Sequence, residues 1–290
     1  MRKKILLDTD IGSDIDDCLA LAYLLKEPDC EILGITTVSG EADKRAAMVD
    51  AICRNVGITD MPIFPGAERP LFGGQRQRRA QQAVCLSQLP CRKEFPKNQA
   101  IEFMRKTIRE NPGEITLVAI GPLTNIALLF SLDPEIPSLL KELVLMCGDF
   151  LRPNAAPEWN AMLDVLATAI VYAAKVPIHR SVGLNVTTQV KINKKQMEER
   201  FHAKVLEPVK QFADVWFESK EFMIFHDPLA VMTLFDDRVC SFVKCGAKVS
   251  FPDAPQAGKI TLDLTQNDIE VADSVNAEYA LERFFRIVNT

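Results

Sequence analysis

Apolar runs that give way to helical spacing recur down most of this chain, and few folds accept that alternation. Lys4 to Asp8 is one such run and Glu31 to Val38, rich in Ile, Thr and Val, is another; each suits a strand buried in a parallel sheet. Between them, Asp17 to Lys26 carries Leu19, Ala20, Ala22, Tyr23 and Leu24 at helical spacing, which completes a β-α-β unit. The pattern predicts further helices over about 43–56, 98–110 and 165–174 and one opened by Gly121-Pro122. It predicts further strands at Pro62 to Phe64, Ile115 to Ala119, Leu143 to Met146 and Ile178 to Val182. Such repetition argues for an α/β chain with a mostly parallel, wound sheet flanked by helices, whose ligands bind at the carboxyl ends of the strands. From about 194 to 234 the pattern turns mostly helical, as a region covering the site would, and contains Trp216-Phe217, a pair that reads as core or as a stacking surface. Ala247 to Leu264 reads as short strands broken by Pro252, Pro255 and Gly258, followed by a closing helix from Ser274 to Val288. No composition break divides the chain, so residues 1–290 read as one large domain.

Charge narrows the function. With 34 Lys and Arg against 39 Asp and Glu, the formal charge is -5, which disfavours a nucleic-acid partner. The basic start, Arg2-Lys3-Lys4, precedes only Ile5-Leu6-Leu7 before the first acid, too short a run for a signal peptide, and no stretch is long enough for a membrane helix. The expectation is a cytoplasmic protein acting on a small molecule. The 8 cysteines form no C-x-x-C and read as reduced, buried small hydrophobes.

The segment from Asp8 to Asp17 places 5 carboxylates (Asp8, Asp10, Asp14, Asp16, Asp17) where a parallel strand ends and a helix begins. A helix N-terminus stabilises one or two acids through its orphan N–H groups and dipole, which accounts for Asp14 or Asp16 but not for all of them. A hard divalent cation held by oxygen ligands accounts for the rest. The closing glutamate of an EF-hand loop is missing. An Asp-x-Asp-x-Thr start would suggest a Mg²⁺-dependent phosphatase of the haloacid dehalogenase type, forming an aspartyl-phosphate at Asp8 or Asp10, but Gly12 stands at the threonine position.

Later segments decide between these readings. Asp8-Thr9-Asp10-Ile11-Gly12 with Asp16-Asp17, Gly34 to Gly40, Val118 to Ala127 with its Gly-Pro-Leu-Thr-Asn turn, Leu145-Met146-Cys147-Gly148, Glu158-Trp159-Asn160 with Asp164, and His226-Asp227-Pro228-Leu229-Ala230 occur in order. In that order they resemble the motifs of the inosine-uridine-preferring nucleoside hydrolases. The resemblance implies that Asp10, Asp17, Asp227 and the carbonyl of Ile120 hold Ca²⁺, with Asp10 also the general base toward water. It implies that Asp16, Glu158 and Asn160 bind the ribose, with Met146 and Asn154 beside it, and that His226 protonates the leaving base. The reaction would be hydrolysis of the N-glycosidic bond of a ribonucleoside, and the family's self-association implies a homodimer or homotetramer.

Chemistry agrees with that allocation. Breaking the C1′–N bond builds positive charge on the sugar, which carboxylates stabilise, and a base leaves more readily once protonated by a histidine of near-neutral pKa. Two departures stand out. Glu41 occupies the position of a substrate-contacting asparagine, and Cys147 replaces a glycine near the sugar, as a packed thiol or as a residue that narrows the pocket. A non-catalytic homologue that binds a ribosyl ligand is the alternative these departures suggest. Asp14 is expected to face the ion, cap the helix or face water. His179 and His202 read as structural. Gly73 to Arg79 reads as a solvated loop, or as a lid whose arginines meet a phosphate.

Overall fold

The structure is a computed structural model that describes residues 2–150, 152, 156–251 and 256–290. Its strands are β1 (Lys3–Thr9), β2 (Cys30–Thr37), β3 (Ile63–Pro65), β4 (Ile115–Ala119), β5 (Glu142–Met146), β6 (His179–Val182), β7 (Lys191–Asn193), β8 (Phe222–Ile224), β9 (Cys240–Val249), β10 (Ile260–Asp263) and β11 (Ile269–Val275). Nine of them form one sheet in the order β10-β9-β11-β6-β5-β4-β1-β2-β3. From β3 through β11 the neighbours are parallel; β9 runs against the rest, and β10, antiparallel to β9, restores the common direction. The chain winds outward from β1 to β2 and β3, then returns to β4 on the other flank, so the winding reverses between β1 and β4. Loops leaving two such strands diverge to opposite faces and open a crevice at their carboxyl ends. Asp10 follows β1 there, and Ile120 follows β4.

Burial on both faces explains why the central strands are apolar without alternation. Ile5 and Leu7 of β1, Val118 of β4 and Val144 and Met146 of β5 pack on one side, against the helices Asp16–Lys26, Ala42–Asn55, His226–Met232 and Ala277–Val288. Leu6, Leu117, Ala119, Leu143 and Leu145 pack on the other, against Ala100–Glu110, Thr124–Leu132 and Val165–Ala173. Successive strand residues point to opposite faces, so a strand covered twice must be apolar throughout. In the helix Asp16–Lys26, every residue from Asp16 to Leu24 is buried, two acids included.

A buried ion cluster fastens the last helix to the first. Arg283 donates to Glu27 at 2.9 Å, to Asp236 at 3.0 Å and to the Tyr23 hydroxyl at 2.9 Å, while Tyr23 donates to Glu27 at 2.6 Å. Removing the cation would leave two enclosed carboxylates without it, so Arg283→Met is expected to cost about 3–5 kcal/mol in urea unfolding. A loss below about 1 kcal/mol would show that Tyr23 suffices for Glu27 and that Arg238, which donates to Asp236 at 2.7 Å, suffices for the other acid.

The α/β architecture and most element positions agree with the sequence reading, with three differences. The mostly helical stretch contains β8, which pairs with β7 across the intervening helices as a separate two-stranded antiparallel sheet; three residues set between helices give no period of their own. The segment before the final helix is β11, inserted between β6 and β9, and the helix starts at Ala277, where the Asn276 side chain accepts from Tyr279 N at 3.2 Å. Two of the expected strand breakers, Pro252 and Pro255, lie outside the described residues. No helix among the described residues is long and apolar enough to cross a membrane.

Candidate active site

The acids that follow β1 divide into two groups with different work. Asp8, still in the strand, is enclosed: its Oδ1 accepts from Thr36 Oγ1 at 2.5 Å and from Asn125 Nδ2 at 2.7 Å. Asn125 also donates to Thr37 O at 3.0 Å and accepts from Ala67 N at 2.9 Å. Asp8 therefore ties together the ends of β1 and β2 and the helix after β4, and burial pushes its carboxyl up to about 7. An aspartyl-phosphate route at Asp8 has no access to solvent in this arrangement. The asparagine of the Gly-Pro-Leu-Thr-Asn turn is thus a bracket beneath the site.

Asp10, Asp14, Asp16 and Asp17 instead line a cleft of about 610 Å³, together with Asp227 and Glu158. Carboxylate oxygens of Asp16, Asp17 and Asp227 lie within 4.8 Å of one another. Asp227 N donates to Asp16 Oδ2 at 3.1 Å, and the Thr9 hydroxyl donates to Asp17. Burial raises the pKa of all three well above the carboxylate range, and their neighbouring acids raise it further. Burial is also the main cause of a raised Asp10 and of an Asp14 pushed up to about 6. Asp14 accepts from the adjacent Ile15 N at 2.6 Å while facing the cleft.

One cation answers this charge from below. Arg45 is fully buried and donates to the carbonyls of Gly40 at 2.9 Å and Ile11 at 3.0 Å, to Ser13 Oγ at 3.0 Å, and to Asp10 O. It braces the backbone of the acidic loop, and its charge lowers the pKa values of Asp10 and Asp17 against the effect of burial. Gly121 brings the turn after β4 close to this loop. A Cβ there would come within 2.7 Å of Asp10 Oδ1, so only glycine permits the approach.

The opposite wall comes from the ends of β4 and β5. Asn160 Nδ2 donates to Ile120 O and Met146 O, both at 3.1 Å, which holds both carbonyls at the cleft. Glu158 caps the helix Trp159–Leu163, accepting from Asn160 N at 2.7 Å, Ala161 N at 3.0 Å and Gly148 N at 3.1 Å. Burial nonetheless lifts Glu158 to about 7. At the mouth, His226 Nδ1 pairs with Thr187 Oγ1 at 2.7 Å, and burial lowers the imidazole to about 4 rather than the near-neutral value expected for it. The ring is therefore neutral around pH 7.

Of the residues expected at the site, Asp10, Asp16, Asp17, Ile120, Met146, Glu158, Asn160, His226 and Asp227 line the one cleft. The tight trio, however, contains Asp16 rather than Asp10. Glu41 lies elsewhere: its Oε2 accepts from Ala80 N at 2.9 Å, its Oε1 pairs with Lys44 at 2.6 Å, and it lines a neighbouring depression. Its backbone sits at φ 63°, a left-handed conformation that asparagine adopts more readily than glutamate. Asn154 lies outside the described residues. Cys147 is fully enclosed and does not line the cleft, which favours the packed thiol.

Sequence reasoning missed three participants, Gln77, Lys220 and Arg45, and left Trp216 open between core and stacking surface. Gln77, placed in a solvated loop, is buried: its Nε2 donates to Asp10 Oδ2, and its Oε1 accepts from Trp159 Nε1 at 2.6 Å. Trp216 lines the cleft while it and Phe217 both pack against the core, and Lys220 lies 5.4 Å over the Trp216 ring. Arg45 carried no motif. A lone arginine in an alanine-rich helix gives no signal before the loop it supports is folded over it.

Comparison with known proteins agrees with this geometry. The sequence model of the inosine-uridine preferring nucleoside hydrolases matches residues 5–282. Uridine nucleosidase 1 of Arabidopsis thaliana is 32% identical over 252 residues, 80% of this chain and 74% of that protein. The pyrimidine-specific ribonucleoside hydrolase RihA of Salmonella arizonae is 33% identical over 211 residues, covering 70% and 67%. Among solved structures, the plant nucleoside hydrolase PpNRh1 superimposes with a TM-score of 0.86 at 23% identity, over 100% of both chains. A purine-preferring ribonucleoside hydrolase from Gardnerella vaginalis gives 0.86 at 22% identity, over 99% of this chain and 98% of that one. With sequence similarity along nearly its whole length and the same fold, the chain is an enzyme of the inosine-uridine preferring nucleoside hydrolase family.

Proposed function

We propose that the chain hydrolyses the N-glycosidic bond of ribonucleosides, pyrimidine ribonucleosides among them, to ribose and free base, with Ca²⁺ held at the foot of the cleft. The observation that carries this reading is the convergence of 6 carboxylates (Asp10, Asp14, Asp16, Asp17, Glu158 and Asp227) on one cleft beside the Ile120 carbonyl. Buried carboxylates this close repel one another unless protonated or paired with a cation, and an all-oxygen donor set suits a hard one. Asp10, Asp17, Asp227 and Ile120 O would hold it, with Asp16 at the sugar. When bound, Ca²⁺ supplies the positive charge that keeps these acids ionised and eases deprotonation of the attacking water.

The protein's own groups do the rest. Asp10 takes a proton from water as its oxygen bonds to C1′, while the electrons of the C1′–N bond pass to the base. The sugar gains oxocarbenium character, which the surrounding carboxylates stabilise. Glu158 and Asn160 hold the ribose hydroxyls. His226, paired with Thr187 Oγ1 through Nδ1, takes up a proton from solvent and passes it to the departing base, returning to the neutral ring.

Trp216 supplies the face on which the base stacks. Trp216→Ala is expected to raise KM about 10-fold, the equivalent of ~1.4 kcal/mol of stacking, with a smaller change in kcat; an unchanged KM for every cleaved nucleoside would remove it from the base site. The enzyme works in the cytoplasm as a homodimer or homotetramer, a state that sedimentation velocity reads directly. The function itself is tested by ribose release from a nucleoside panel that begins with uridine, with and without a chelator. Chelator-sensitive release is expected. Binding of Ca²⁺ and nucleoside without turnover would favour a ribosyl-binding homologue instead.

A further inference from the structure

We propose that Gln77 is the positioning residue for Asp10, fixing the carboxylate's rotation and joining it to Trp159 through a single carboxamide. This rests on the catalytic reading above. The two ends of the amide are unlike, and both are used: Nε2 donates to Asp10 Oδ2, and Oε1 accepts from Trp159 Nε1 at 2.6 Å. An indole nitrogen can only donate and an ionised carboxylate can only accept, so glutamine is the residue that serves both. Glutamate would set a second acceptor against Asp10, and a shorter amide would not span the gap.

The segment that carries Gln77 is seated on both sides of it. Gly40 N donates to Gln77 O at 3.2 Å, and Arg45 Nη2 and Ser13 Oγ each donate to Arg79 O at 3.3 Å. At Gly40 a Cβ would come within 2.5 Å of Arg78 O, so the seat requires a residue without one. Between Arg76 and Arg78, which also line the cleft but are exposed, Gln77 is buried. Asp10 stands outside the trio formed by Asp16, Asp17 and Asp227, and among the described residues Gln77 is the side chain that donates to its carboxylate. A carboxylate with one oxygen so engaged presents the other at a fixed angle to cation and water. Partners of this kind around a metal ligand change metal affinity or activity by about 10- to 100-fold when removed.

The test uses the full chain, stripped of metal with a chelator and titrated with Ca²⁺ by calorimetry, alongside kcat and KM for the best nucleoside of the panel. Gln77→Met keeps the length and loses both polar ends. It is expected to weaken Ca²⁺ binding about 10- to 100-fold and to lower kcat more than it raises KM. In a ¹H–¹⁵N spectrum the indole N–H of Trp159, assigned by its loss in Trp159→Phe, should shift in Gln77→Met while that of Trp216 stays in place. Gln77→Glu should lose more than Gln77→Met. Gln77→Asn, which keeps an amide one methylene too short, serves if the methionine variant does not fold and should also lose affinity. Folded Gln77→Met or Gln77→Asn protein with wild-type Ca²⁺ affinity and kcat would overturn the proposal alone. Wild-type protein that neither binds Ca²⁺ nor cleaves a nucleoside would overturn the catalytic reading and this one with it.

Discussion

Asp10→Ala is expected to lower kcat/KM for ribonucleoside hydrolysis by about 10²–10⁴-fold, the usual contribution of a positioned general base, and to leave the fold intact. Two features of the loop make the second half of that expectation specific. Arg45 reaches the backbone carbonyls of Asp10 and Ile11, which the substitution keeps, so the brace under the loop survives. The carboxylate itself is desolvated, a cost that Arg45 and Gln77 offset only in part, and it repels Asp16, Asp17 and Asp227, so its removal relieves about as much as it loses. The variant should therefore unfold at the wild-type temperature or slightly above it in the absence of metal. Steady-state kinetics with a thermal scan on the same preparation measures both. Full retention of rate would remove Asp10 from the mechanism, and a collapse of the fold would mean that the acid is structural.

The second large effect is on stability, and its sign depends on metal and pH. In the metal-free protein, Asp14 is raised to about 6 and Asp8 and Glu158 to about 7, chiefly by burial, and Asp16, Asp17 and Asp227 are raised as well. An acid whose folded pKa exceeds its unfolded value holds its proton more tightly when folded. Its stabilising contribution is complete below about pH 4 and is lost as pH rises through the folded pKa. With chelator present, stability is therefore expected to fall between about pH 4 and pH 7. Ca²⁺ should reverse the fall near neutrality, adding about 2.7 kcal/mol at a hundredfold excess over its Kd. Asp17→Asn separates the two influences. It removes one of three clustered charges yet keeps an oxygen for the Thr9 hydroxyl, so at neutral pH it should stabilise the chelated protein while abolishing the response to Ca²⁺. Thermal scans at several pH values with chelator or Ca²⁺ decide it. A chelated wild type whose stability rises steadily to pH 7 would show that these carboxylates are paired by something other than a metal.

Local chemistry made much of this legible in advance. An apolar run followed by helical spacing has one economical fold, and Asp10, Asp16 and Asp17 were visible from their density at a strand end, whereas Glu158, Asn160, His226 and Asp227 were visible through the resemblance of their motifs to those of a known family. The limits were equally physical. Asp8 and Asp10 look equivalent in the sequence, yet one is still in the strand and enclosed by Thr36 and Asn125, while the other has passed the strand end into the cleft. Glu41 looked like a substrate contact because of its position, but its side chain caps Ala80 and pairs with Lys44.

The sequence by itself determined the α/β class, the acids at the end of β1 and the order of motifs along the chain, because strand burial and carboxylate density are properties of neighbouring residues. Only the tertiary structure decided which carboxylates cluster, that Arg45 supports their loop, that Gln77 reaches Asp10 and Trp159, and that Trp216 faces the cleft. Those pairings join residues dozens to hundreds of positions apart. Their geometry is set by how the sheet winds on either side of β1, and no local pattern encodes it.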